Sequence, residues 1–136
     1  MSIAIEHLLP HRVPMLWINA LTSCTETTAT ATACFGENDF AVADGKVLET
    51  ALVECIAQTV AAALGQQARE KEPSGVAGLG MLVGVSNFKI QSRPAAGKTL
   101  SIEVRERRRL GPMRLISGSI SCDGQIIAAG DLSVYA

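Results

Sequence analysis

The stretch GKVLETALVECIAQTVAAALG, residues 45–65, decides the fold of this 136-residue chain. Small and apolar residues run without a turn signal between its end glycines, which predicts one long helix over residues 48–69. Glu54 lies in the apolar part of this helix, where a charge is costly unless it is paired, neutralised or functional. Small side chains that would let other elements approach the helix closely are Ala51, Ala57, Ala61, Ala62 and Ala63.

The composition predicts one domain over residues 1–136, with a hydrophobic fraction of 48% and a net charge of −1. No uncharged apolar run reaches about 18 residues, so we expect no membrane span. Residues 1–14 lack the features of a secretory signal, and the near-zero charge disfavours nucleic-acid binding. Four scattered cysteines and two N-terminal histidines disfavour a zinc site and predict reduced thiols in a cytoplasmic protein. High apolar content predicts an oligomer interface.

The rest of the chain predicts strands. Residues 15–24 and 25–35 precede a loop and the helix, and residues 78–90, 98–109, 113–122 and 125–136 follow it. Asp123-Gly124 is a hairpin signal between the last two strands. One apolar helix with an antiparallel sheet is most simply arranged with the sheet curled around the helix. We therefore predict an α+β hotdog fold.

Four segments resemble the β-hydroxyacyl-acyl-carrier-protein dehydratases: LLPHRVPMLWI (8–18), VECIAQ (53–58), residues 83–109 with their Arg-Pro-x-x-Gly turn, and CDGQIIAAGDLSVYA (122–136). GLGMLVG (78–84) and IAQTVAAALG (56–65) also resemble the divergent dehydratase-like proteins of bacterial aryl polyene gene clusters. The resemblance implies dehydration of 3-hydroxyacyl groups on an acyl carrier protein, in fatty acid, polyketide or polyene synthesis. It implies no cofactor beyond the carrier's phosphopantetheine, and a dimer with itself or a homologous hotdog subunit, paired through the strand at 78–90.

The chain departs from this family at the catalytic base. The dehydratases carry a histidine in a Gly-His-Phe-Pro-Gly loop, which abstracts the α-proton, and a helix carboxylate from the other subunit, which assists departure of the hydroxyl. Glu54 matches the carboxylate, whereas Phe40 stands where the histidine is expected, and no histidine follows His11. The usual base is therefore absent.

Three residues are the candidates for chemistry. Glu54, among apolar side chains, could exchange a proton near neutral pH or could be a structural carboxylate. Gln58 lies one turn later on the same face, where it could orient Glu54, bind the thioester carbonyl or have a plain packing and hydrogen-bonding role. His11 is the only candidate replacement base, although the family places it in a structural Pro-His-Arg opening. Asp39 and Asp44 are more typical of solvated loop carboxylates.

The resemblance also places substrate-binding residues. The helix start is similar to the family's oxyanion site for the thioester carbonyl, although Glu49 would repel a developing oxyanion where the family has glycine. The strand after the helix is the candidate wall of an acyl tunnel. The expected substrate-binding residues are Phe40, Leu48, Glu49, Thr50, Met81, Val83, Gly84 and Phe88.

An arginine-rich segment, RERRRLGPMR (105–114), surrounds a predicted hairpin. Strand alternation sends Arg105, Arg107 and Arg109 to one face. This face could be solvated, or it could bind an acidic carrier protein. The expected carrier-binding residues are Lys89, Arg93, Arg107 and Arg109.

Three functions remain open from the sequence. The favoured function is a dehydratase with a relocated base. The second is a thioesterase, in which the helix carboxylate activates water or attacks the carbonyl without a histidine. The third is a subunit without activity of its own, which supplies Glu54 to a dehydratase that retains its histidine.

Overall fold

The computed structural model describes residues 4–12, 14–71 and 81–135, and for Met81 the backbone alone. The predicted order of two strands, one long helix and four strands is confirmed there, while residues 78–80 and Ala136 of the predicted strands lie outside the described residues. The elements are a 3₁₀ helix (Ile5–His7), β1 (Ile18–Cys24), β2 (Thr28–Cys34), β3 (Val42–Ala43), β4 (Lys46–Val47), α1 (Glu49–Lys71), β5 (Met81–Ile90), β6 (Thr99–Leu110), β7 (Met113–Cys122) and β8 (Gln125–Tyr135).

The main sheet has the strand order β1-β2-β6-β7-β8-β5, and all of its pairs are antiparallel. Helix α1 packs on β1, β2, β6 and β7. The sheet and the helix approach closely at Gly118 of β7, where any side chain would collide with Ile56 of α1. The prediction of an α+β hotdog fold is confirmed.

A short hairpin before α1 differs from the sequence prediction. Residues 36–46 were expected to form a loop, whereas β3 and β4 pair across Asp44-Gly45. These two residues have φ angles of 55° and 75°, close to the 53° and 79° of Asp123-Gly124 between β7 and β8. Two successive positive φ angles define a type I′ turn, so both Asp-Gly pairs act as hairpin signals.

Strand β5 is one edge of the main sheet. Its Leu82, Val83 and Val85 side chains are 43%, 54% and 44% exposed. An edge strand that combines apolar side chains with unpaired backbone groups is a template for pairing with another chain. No helix in the described ranges is long and apolar enough to cross a membrane.

We expect the protein to lose stability at alkaline pH, because the Cys55 thiol is fully buried in α1. Burial, with a smaller contribution from Glu54, raises the pKa of Cys55 from 9.0 to about 12. Both folded and unfolded chains keep this proton below pH 9, but at higher pH only the unfolded chain releases it. The free energy of unfolding should therefore fall by about 1.4 kcal/mol per pH unit between these two values.

Urea unfolding between pH 8 and 11 would test this dependence, with the slope compared between the wild type and Cys55→Ala. The substitution is expected to flatten the slope. Cys34→Ala is the matched control, because Cys34 is an exposed free thiol. Equal slopes in the wild type and Cys55→Ala would contradict the assignment.

Candidate active site

Glu54 lies on the one face of α1 that the sheet leaves partly open. Its side chain is 33% exposed, so the carboxylate is half-buried rather than enclosed in the core. Three other residues at helical spacing on this face, Ala57, Ala61 and Leu64, are also half-buried. This face of α1 is therefore only partly buried, and Glu54 is tolerated there because solvent and polar partners reach it.

His11 lies against Glu54, with 3.3 Å between Nε2 of the imidazole and Oε2 of the carboxylate. The segment that carries His11 is anchored by Leu8 and Leu9, which are buried in the core. Arg12 fixes the backbone by donating from Nη1 to the carbonyl oxygens of Leu9 and His11, at 2.8 and 2.7 Å. The second imidazole nitrogen, Nδ1, is buried without a hydrogen-bond partner among the described residues.

Gln58 is fully buried and joins Glu54 to the start of β1. Its Nε2 donates to Oε2 of Glu54 at 3.2 Å and to the Met15 carbonyl oxygen at 2.7 Å. Its Oε1 accepts from the backbone N–H groups of Trp17 and Ile18, at 2.9 and 3.3 Å. These contacts fit both orientation of the carboxylate and a packing and hydrogen-bonding role. Binding of a thioester carbonyl by Gln58 stays a prediction.

Both polar neighbours of Glu54 contact the same carboxylate oxygen. His11 and Gln58 lie against Oε2, and Oε1 has no hydrogen-bond partner in the described part of the chain. The carboxylate is therefore held through one oxygen while the other is free to meet a bound molecule.

A cavity of about 160 Å³ adjoins this pair of residues. His11 and Glu54 supply its polar groups, and the remaining walls are apolar side chains from α1, β5 and β8. Among the described residues, those that line the cavity are His11, Glu54, Ala57, Ala61, Leu64, Leu82 and Val134. The last five were not predicted as site residues, although the helical spacing of positions 57, 61 and 64 to Glu54 indicates that they share its face.

Of the substrate-binding residues expected on β5, the three whose side chains are described, Val83, Gly84 and Phe88, do not line this cavity. Leu82 does, and a register shift between Leu82 and Gly84 leaves Val83 exposed on the edge strand. Phe88 is half-buried against the core. The side chain of Met81 lies outside the described residues.

The residues expected around the helix start also lie away from the cavity. Phe40 is 59% exposed and packs against Trp17, with 5.8 Å between the ring centroids. Leu48 is half-buried, Glu49 and Thr50 are exposed in the first turn of α1, and none of the three lines the cavity. Their contact with a substrate stays a prediction.

Arg93 holds the hairpin in front of α1. Its Nε donates to the Val47 carbonyl oxygen at 3.0 Å, and its Nη2 donates to the carbonyl oxygens of Ala43 and Lys46 at 3.0 and 3.1 Å. These bonds fix the backbone that leads into the helix. Arg93 therefore has a structural role in this hairpin, and it does not belong to the arginine-rich face on β6.

The arginines of β6 divide between the two faces of the sheet. Arg105 and Arg107 line a groove on the outer face together with Lys89. Arg109 instead pairs with Glu106 at 3.2 Å. The prediction that Arg105, Arg107 and Arg109 share one face is wrong, because a register shift between Glu106 and Arg108 breaks the alternation. Carrier binding by Lys89, Arg93, Arg107 and Arg109 stays a prediction.

The fold and the site together define a class of protein. An antiparallel sheet around one long helix, with a helix carboxylate beside an apolar cavity, defines a hotdog protein with a candidate acid–base site. The model of the ApeP-like family, described as ApeP dehydratase, matches residues 3–136. The chain belongs to this dehydratase family, which confirms the resemblance to aryl polyene proteins.

Solved structures agree with the fold. The dehydratase heterocomplex ApeI:P from Xenorhabdus doucetiae matches with a TM-score of 0.88 at 21% identity, over 99% of this chain and 91% of that chain. The E. coli PaaI protein of the phenylacetic acid degradation operon matches with a TM-score of 0.68 at 14% identity, over 85% of this chain and 81% of that chain. A hypothetical thioesterase of Streptococcus pneumoniae, solved with coenzyme A, matches with a TM-score of 0.68 at 9% identity, over 85% of this chain and 82% of that chain. No curated protein matches the sequence.

Proposed function

We propose that this protein removes water from 3-hydroxyacyl thioesters carried on the phosphopantetheine of an acyl carrier protein, with His11 and Glu54 as the acid–base pair. The observation that carries the proposal is the 3.3 Å contact between His11 Nε2 and Glu54 Oε2 at an apolar cavity. Membership of a dehydratase family supports the reaction type. The pair supplies both a base and an acid, which the chain otherwise lacks because the loop position of the usual histidine holds Phe40.

The two groups can divide the proton transfers of dehydration between them. Nε2 of His11 takes the proton from C2, and the electrons of that bond form the C2=C3 double bond. The C3–O bond breaks as Glu54 gives a proton to the departing hydroxyl, which leaves as water. His11 then holds one proton more and Glu54 one fewer, and transfer from Nε2 to Oε2 restores the starting state. Because Nδ1 is buried, Nε2 is the nitrogen that can reach a substrate.

We also propose that the protein works paired with a second hotdog subunit through β5. The exposed apolar side chains of this edge strand support the pairing. The similar Xenorhabdus doucetiae structure is that of a dehydratase heterocomplex, which supports a homologous rather than an identical partner. In a second candidate function, the partner supplies the missing histidine and this chain contributes Glu54 alone.

Mass spectrometry of a 3-hydroxyacyl carrier protein incubated with the purified chain tests these alternatives. The wild type is expected to remove one water from the acyl group, and Glu54→Gln is expected to lower the rate by about 10² to 10⁴-fold. Glu106→Gln is a matched control, since Glu106 pairs with arginines on β6 and β7.

The product identifies the function. Free acid that depends on Glu54 would replace the proposal with a thioesterase. No product from the chain alone, but dehydration after addition of a homologous subunit that retains the loop histidine, would replace it with the partner-subunit function. Co-elution of the two chains on size-exclusion chromatography would measure the pairing directly, and Val83→Lys on the edge strand is expected to abolish it.

A further inference from the structure

The turn that joins β6 to β7 carries a cluster of exposed apolar side chains. Leu110, directly before the turn at Gly111-Pro112, is 66% exposed, and Leu115 on β7 is 39% exposed. Met113, which pairs with Leu110 across the turn, is half-buried. A single exposed leucine is ordinary on a protein surface, whereas a contiguous apolar cluster indicates a surface that another body covers.

The same hairpin holds most of the positive charge of the protein. Residues 105–114 contain five arginines and one glutamate, so their net charge is +4 in a chain whose net charge is −1. The glutamate, Glu106, pairs with Arg109 and Arg114 at 3.2 and 3.5 Å. The arginines without a carboxylate partner in the described part of the chain are Arg105, Arg107 and Arg108.

These three arginines lie on the same outer face of the sheet as the apolar cluster. Leu115 pairs with Arg108, and the next residue on β7, Ile116, is buried against the core. Because side chains alternate along a strand and paired residues share a face, Leu115 and Arg108 point away from α1. Arg105 pairs with Ser117 on this face, and Arg107 donates from Nη1 to the Ser117 hydroxyl oxygen at 3.3 Å.

A groove of about 360 Å³ shows that the charged and the apolar groups are in contact with one another. Its described lining residues are Arg108, Leu110, Met113, Arg114, Leu115 and Ser133. The hairpin therefore presents cations and apolar side chains together on one surface, with the most exposed apolar side chain at its tip.

We propose that this basic apolar face, formed by Arg105, Arg107, Arg108, Leu110, Met113 and Leu115, binds the surface of a bilayer that contains anionic lipids. The arginines lie at the level of the lipid headgroups, where their charges meet the anionic groups. Leu110 at the tip reaches the boundary with the acyl chains, in the way that the apolar side of an interfacial helix does. Long arginine side chains suit this position, because their stems cover apolar surface while the guanidinium groups stay among the headgroups.

Two other occupants fit this face less well. A second copy of the chain would bring two sets of unpaired arginines together, and like charges repel across an interface. An acidic carrier protein would attract the arginines, but the cavity beside Glu54 is lined by Leu82 and Val134 on the inner face of the sheet. The phosphopantetheine would have to pass the edge at β5, which the proposed subunit pairing covers. A lipid surface needs no access to the cavity.

Co-sedimentation with lipid vesicles measures this binding directly. The chain is expected to bind vesicles of mixed phosphatidylcholine and phosphatidylglycerol and to leave vesicles of phosphatidylcholine alone unbound. Binding should weaken as salt is added, because salt screens exposed charges. The measurement uses no thioester substrate, so its result does not depend on the proposed reaction.

Substitutions on the basic apolar face separate its two contributions. Each arginine near an anionic bilayer strengthens binding by about fivefold, so Arg105→Gln with Arg108→Gln should weaken it by about 25-fold. Leu110→Ser should weaken it by about tenfold or more, because a leucine side chain then stays out of the apolar boundary. All three side chains are exposed, so the fold should be retained.

Matched controls lie at the opposite end of the sheet. Lys46→Gln with Lys98→Gln changes the net charge equally, and Lys98 lies directly before β6, at the end remote from the Leu110 turn. Ile126→Ser removes an apolar side chain that is 55% exposed beside the Asp123-Gly124 turn. Both controls should bind anionic vesicles as the wild type does.

Tryptophan quenching by vesicles with brominated acyl chains locates the inserted residue. Leu110→Trp is expected to lose fluorescence on binding, whereas Ile126→Trp should lose no more than the wild type, whose single tryptophan is Trp17. Absence of binding to anionic vesicles at low salt, or binding that the Leu110 and arginine substitutions leave unchanged, would overturn the proposal. Saturable binding of an apo acyl carrier protein that the same substitutions abolish, without vesicle binding, would replace the lipid surface with a carrier.

Discussion

Replacing His11 with alanine is expected to lower kcat/KM for water removal by about 10² to 10⁴-fold, the range that a positioned acid or base contributes. No other histidine can take over, because the only one besides His11 is the exposed His7. The fold should survive, since the His11–Glu54 pair is partly exposed and such pairs contribute at most about 1 kcal/mol. Rates measured at saturating and limiting substrate, together with urea unfolding, would separate lost chemistry from lost structure.

A second variant distinguishes a base from a structural contact. In His11→Gln the side-chain amide can hydrogen-bond to Oε2 of Glu54, but it cannot accept a proton from the substrate. If His11 acts as the base, glutamine and alanine should reduce activity to a similar degree. Activity that alanine abolishes and glutamine preserves would show that His11 only positions Glu54. His7→Ala controls for loss of a histidine from the same N-terminal segment.

The sequence predicted the fold well because its strongest signals are local. The long helix follows from an unbroken small and apolar run, and the hairpin at Asp123-Gly124 from two residues suited to positive φ angles. The same turn chemistry at Asp44-Gly45 gave no hairpin prediction, because the two-residue strands on either side are too short to show alternation.

The site was predicted less completely, because it depends on contacts between distant parts of the chain. Glu54 could be singled out as a carboxylate in an apolar helix. Its contact with His11 joins residues 43 positions apart, and no local pattern specifies it. The register shifts near Val83 and Arg107 likewise decide which side chains of β5 and β6 face the interior, and a single extra residue in a strand leaves no signal in an alternating sequence.

Replacing Gln58 with leucine is expected to lower the free energy of unfolding by about 1–3 kcal/mol, the cost of leaving a buried polar group such as the Ile18 N–H without a partner. Leucine has a similar size, so the loss comes from hydrogen bonds and not from a cavity. The groups left behind are the N–H groups of Trp17 and Ile18 and the carbonyl oxygen of Met15, all at the start of β1.

Urea unfolding followed by circular dichroism measures this loss, with Gln66→Leu as the matched control. Within the described part of the chain, the Gln66 side chain bonds only to Glu70 near the exposed end of α1, so its substitution should change stability by no more than about 0.5 kcal/mol. Trp17 is the single tryptophan, and its native fluorescence reports locally on the segment that Gln58 holds. A stability change for Gln58→Leu as small as that of the control would mean that water satisfies these backbone groups, whereas a large loss with altered Trp17 fluorescence would show that Gln58 couples Glu54 to β1.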